Sequence, residues 1–126
     1  MTQRKATTMQ TIVMDGNLER AEALAALSAA ALAATAALPD ALIKCETQAQ
    51  MQKVIADRDT CQLAYTNCLA KSLKHTGPLF EQMAKDLEKA AEEITQKSKS
   101  LQNAIEAINL LSDAVRLASS LALAFA

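Results

Sequence analysis

The chain has 126 residues, of single-domain length, with 51% apolar residues, 13 Lys and Arg against 14 Asp and Glu, and a net charge of −1. Charge this balanced and unclustered, with Tyr65, Phe80 and Phe125 as its aromatic residues, lacks the basic face and stacking platforms of a nucleic-acid binder. Alanine and leucine dominate, and two glycines and two prolines leave little room for strands or long loops, so the composition predicts an all-α chain of long helices.

Residues 1–8 are polar with nothing to bury and are expected to fray. A first helix is predicted over about 5–37. At Asp15-Gly16-Asn17 either a turn intervenes with Asn17 as the cap, or the helix continues through Gly16 at a cost of about 1 kcal/mol. The second alternative matches the length of the next helix and is preferred. Leu18, Leu24, Leu27, Leu32 and Leu38 are separated by alanines, so nearly the whole circumference is apolar, as in a helix surrounded by others. The uncharged stretch Ala23–Leu38 has the character of a signal-peptide core, but Asp15, Glu19 and Glu22 precede it, and it is shorter than the ~20 residues that span a bilayer. Pro39, which lacks a backbone N–H and disfavours helical geometry in Leu38, is expected to end the helix.

A second helix is predicted over about 40–75, closed by Gly77 as a left-handed cap, with Pro78 opening the next. Leu42, Ala49, Ala56, Leu63 and Ala70 form one heptad line along it, and Val54, Ile55, Cys61, Cys68 and Leu69 widen the apolar face. The third helix, about 78–125, carries the clearest pattern. Phe80, Leu87, Ile94, Leu101, Ile108, Val115 and Ala122 form one heptad line; Met83, Ala90, Lys97, Ala104, Leu111, Ala118 and Phe125 form the other, broken only by Lys97. Tight connections between the three predict an elongated antiparallel three-helix bundle with coiled-coil-like packing, in one domain spanning residues 1–126.

A continuous third helix outruns the second, leaving the apolar tail from Val115 to Ala126 without a neighbour. Val115, Leu117, Ala118, Leu121, Ala122 and Phe125 are therefore the predicted interaction surface, covered by a second subunit. The alternative is a break near 95–100, after which the tail doubles back as a fourth helix. The unslipped register and the absence of Gly or Pro there favour continuity.

Cys61, Cys68 and His75 share one heptad line, but i+7 neighbours lie about 10.5 Å apart along a helix, so they could ligate one metal only across a dimer. The competing reading makes both cysteines small buried hydrophobes and His75 a favourable charge at a helix end. Cys45 stands alone, and an odd cysteine count fits reduced thiols in the cytoplasm. Glu88, Glu92 and Glu93 lack the histidines of a di-iron bundle, and Glu81–Lys85 and Glu93–Lys97 read as surface i,i+4 pairs. There is no phosphate loop, nucleophile elbow or nucleophile–base pair. The sequence thus predicts a non-enzymatic, cofactor-free interaction or scaffold protein that homo-oligomerises through Ala/Leu-rich faces. The alternatives are a membrane-active protein opening segments 23–38 and 115–126 onto lipid, and a Cys-based metal or redox protein.

Overall fold

The computed structural model describes residues 11–126, with side chains from residue 19 onward; the expected fraying of residues 1–8 and the start of the first helix near residue 5 lie outside them. The described chain is all-helical, with four packed helices where three are expected: α1 (Thr11–Lys44), α2 (Gln48–Leu69), α3 (Pro78–Lys97) and α4 (Ala104–Ala122). A single 3₁₀ turn, Ser98–Ser100, follows α3.

The helix runs through Gly16, and also through Pro39, which was expected to stop it. Pro39 removes the hydrogen bond to the Thr35 carbonyl, but both residues are on the exposed side of the helix, where the loss costs least. Ala37, Ala41 and Cys45 meanwhile bury the opposite face and hold the helix on its course. The chain reverses instead at a capping box. Gln50 N–H donates to Thr47 Oγ1 at 3.1 Å, while the Gln50 side chain accepts from Thr47 N–H at 3.2 Å and from Glu46 N–H at 2.7 Å.

Helix α2 ends at Leu69 and not near residue 75. The Arg20 guanidinium donates to the Leu69 carbonyl at 2.9 Å and the Lys71 carbonyl at 3.0 Å, satisfying acceptors that the helix end leaves open. The following segment pairs with the C-terminus: Leu73 and Phe125 form an antiparallel bridge, with Ser72 and Ala126 exchanging backbone hydrogen bonds at 3.1 and 2.9 Å. Gly77 caps the start of α3, not the end of α2, and its φ of 120° is a conformation that favours glycine. Pro78 follows as the first residue of α3.

The long third helix is two helices. After the 3₁₀ turn Leu101 is extended, and Asn103 caps α4 by accepting from Glu106 N–H at 2.9 Å, while Glu106 Oε1 accepts from Gln102 N–H at 2.9 Å. The heptad ladder conceals this break because the buried seam changes lines. Phe80, Leu87, Ile94 and Leu101 are buried, but their successors Ile108, Val115 and Ala122 are only half-buried; Ala104, Leu111, Ala118 and Phe125 take over the core.

Helix α1 packs along α2 and α3, α4 packs along the same two, and α1 meets α4 across the diagonal. The directions alternate, so α1 and α3 run parallel on one side and α2 and α4 on the other. One core cluster joins Ala34, Ala37, Val54, Cys61, Ile94, Leu111 and Ala114 near the α1–α2 turn. The second joins Ala26, Leu27, Cys68, Phe80, Leu87, Leu121 and Phe125 at the opposite end. Alanines at 26, 30, 34 and 37, all buried, let α1 approach three neighbours at once.

Candidate interaction surface

The predicted interaction residues at the C-terminus belong to the monomer's own core. Ala118 and Leu121 are fully buried and Phe125 nearly so, while Val115, Leu117 and Ala122 pack partly buried against the two clusters. The tail was expected to overhang because α3 and α4 were read as one helix; once the chain doubles back, α2 and α3 cover it.

The cysteines are also interior. Cys61 and Cys68 are each 1% exposed and lie in different core clusters, whereas His75 is exposed in the connection after α2. Burial, reinforced by the neighbouring Asp57 carboxylate, pushes the Cys61 thiol up to about 11. Burial also raises Cys45, and raises Cys68 against the opposing pull of Lys71 and Arg20. Thiols held protonated are poor nucleophiles and metal ligands. Among the described residues no group of three or more His, Cys, Asp or Glu side chains converges on a metal position. Glu93–Lys97 is an ion pair at 3.0 Å, with Lys97 on the exposed surface despite its place in the heptad line.

The heptad line expected on the inner side of the second helix faces outward: Ala49, Ala56, Leu63 and Ala70 are exposed. The buried seam of α2 is Val54, Asp57, Cys61 and Cys68, spaced by three, four and seven residues. Asp57 is a carboxylate in a core position, 4% exposed, which the sequence reading missed; the three-and-four spacing from Val54 to Cys61 is the signal that marks it.

The most distinctive surface is on α1. A helix apolar all round needs neighbours all round, and α1 has them on its inner side only. Between Ala23 and Pro39 it carries no charge, and Ala25, Leu32, Thr35, Ala36 and Pro39 face solvent, with Leu32 68% exposed. Ile43, 75% exposed, lies beyond. Beside this face an open groove of about 820 Å³ runs between α1 and α3. Ala29, Leu32, Ala33 and Ala36 form its apolar wall and floor, and Lys85, Glu88, Lys89 and Glu92 its charged rim on α3. None of these four charged groups forms an ion pair with another described residue. Helix α1 was read as surrounded; four helices are too few to enclose it, and the uninterrupted Ala23–Leu38 run is the signal in the sequence.

The chain matches no protein-family model, no curated protein and no solved structure with which it was compared.

Proposed function

We propose that the protein is a non-enzymatic helical-bundle interaction module of the cytoplasm that self-assembles through the outer face of α1. The observation that carries this reading is Leu32, 68% exposed at the centre of an uncharged helix face and beside an alanine-lined groove. Covering that face removes apolar area from water at roughly 25 cal/mol per Å², and small side chains let a facing helix approach closely. The acid–base balance and the raised thiols fit a binding role better than a catalytic one. Sedimentation velocity at tens of micromolar tests the reading. The expected result is an assembly that Leu32→Glu dissociates without loss of helicity; a clean wild-type monomer overturns it.

A second reading, binding to lipid, is favoured by one observation: the 26-residue helix span Glu19–Lys44 contains an 18-residue window with a mean hydropathy of 1.7, so by length and composition it could cross a bilayer. Of the two segments expected to open onto lipid, 23–38 already presents its outer side, whereas 115–126 exposes Leu123 but keeps Ala118, Leu121, Ala124 and Phe125 in the core, which has to break for them to emerge. Flotation with liposomes discriminates, since the assembly reading expects the protein to stay in the bottom fraction.

A further inference from the structure

We infer that the α1–α3 face, groove included, is covered by a second copy of this chain, related by a two-fold axis that crosses the helices between Glu88 and Lys89. This rests on the assembly reading above and specifies its partner and register.

A two-fold interface presents the same surface from both sides, so the surface has to complement itself. A dyad running along the helices sets α1 of one copy against α3 of the other, which lays uncharged alanines on lysines and glutamates. A dyad crossing the helices sets α1 on α1 and α3 on α3, each pair antiparallel. The apolar face then meets an apolar face, and the charged rim meets a charged rim.

The order of charges along the rim fixes where that dyad passes. Lys85, Glu88, Lys89 and Glu92 all line the groove, and all four are exposed. Reversed about the midpoint of Glu88 and Lys89, the row sets Lys85 opposite the partner's Glu92 and Glu88 opposite the partner's Lys89. Every charge gains an opposite charge, and two-fold symmetry makes each pair twice. A pairing shifted by three residues along α3, which moves the dyad by one and a half, opposes Lys85 to the partner's Lys89 or Glu88 to the partner's Glu92, and a shift by four keeps one pair of opposite charges where the central dyad makes both.

The same level of the bundle suits α1. The groove places Ala29–Ala36 alongside Lys85–Gln96, in parallel order, so the rim midpoint lies level with the stretch around Ala30 and Ala31. An antiparallel α1 pair centred there sets Leu32 over the partner's Ala29 and Ala25 opposite the partner's Ala36. Leu32, the large side chain at the centre of that face, thus meets a small residue on the facing helix, as a knob meets a hole. The area suffices: 26 residues from Glu19 to Lys44 extend about 39 Å, and two helix widths of about 10 Å each give roughly 800 Å² per copy, that of a standard interface.

Charge swapping tests the register. Sedimentation equilibrium, with far-UV circular dichroism to confirm folding, compares wild type, Glu88→Lys, Lys89→Glu and the double variant E88K/K89E. The expected result is a wild-type dimer, a dissociation constant raised at least tenfold in each single variant, and recovery to within about threefold of wild type in the double variant. Single variants that dimerise like wild type, or a double variant no better than the singles, overturn the register and leave the assembly reading standing. A wild-type monomer overturns both. Because all the substitutions are at exposed sites, lost helicity in one variant leaves the other single variant and the wild type as readouts.

Discussion

Ser112 Oγ donates a hydrogen bond to Asp57 Oδ2 at 3.3 Å, joining α4 to α2 at the one charged position on the buried seam of α2. Lys53, one turn earlier on α2 and half-exposed, reaches the other carboxylate oxygen at 2.6 Å. The carboxylate is thus satisfied from both sides, once by a cation at the surface and once by the facing helix. Replacing a buried charge by an apolar group of similar volume is often neutral or stabilising, whereas truncation leaves a gap and an unsatisfied partner. Asp57→Ala is expected to destabilise by about 1–3 kcal/mol, and Asp57→Leu by less than Asp57→Ala. Urea denaturation of both variants beside Ser112→Ala, expected to cost about 1 kcal/mol, checks the ordering.

Burial of Cys61 has a consequence in alkali. The folded thiol is raised from 9.0 to about 11, so the folded state holds its proton over a range in which the unfolded chain has released it. The stabilisation is therefore fully present below pH ~9 and is lost as pH rises toward ~11, by about 2–3 kcal/mol in total. Denaturation under reducing conditions at pH 8, 9 and 10 is expected to show falling stability in wild type and a flatter profile in Cys61→Ala. Equal slopes count against this account.

Local chemistry overrules periodicity at two of the three element boundaries that differ from the sequence pattern. Thr47-x-x-Gln50 and Asn103-x-x-Glu106 are cap sequences, readable in advance, yet Pro39 and the unbroken heptad lines drew the boundaries elsewhere. The heptads in 78–125 locate Phe80, Leu87, Ala90 and Ile94 of α3 and, through the second line, Ala104, Leu111 and Ala118 of α4; they are silent about the break because Leu101 in the connection and Ala104 at the start of α4 are both buried. The all-helical class, the breaker Gly77-Pro78 and the crowding around the alanines of α1 were legible. The uncharged run Ala23–Leu38 was legible too, but not that one side of it stays without a neighbour, because enclosure depends on how many helices the chain makes.

The caps give a direct test of that argument. Thr47→Ala and Asn103→Ala each remove an acceptor for a backbone N–H at a helix start and are expected to cost about 1 kcal/mol. Ser and Asp at either position are expected to retain most of the stability, measured as the midpoint of thermal unfolding. Equal loss in the Ser and Ala variants at Asn103 means that the side chain is not acting as a cap.

Pro39 gives the opposite sign. Its ring lies on the exposed side of α1, in mid-helix, where proline costs roughly 3 kcal/mol relative to alanine. Proline also restricts the unfolded chain, which offsets about 0.4–1 kcal/mol of that cost. Neighbouring contacts constrain the gain little, since Leu38 and Asp40 are only half-buried; Ala41 supplies the buried side, and Asp40 pairs with Lys99 at 3.6 Å. Pro39→Ala is therefore expected to stabilise the fold by about 1–3 kcal/mol, with the slope of denaturant unfolding unchanged because the same surface is exposed. A destabilised variant requires that the proline's position in α1 maintains contacts around Cys45 which a regular helix loses.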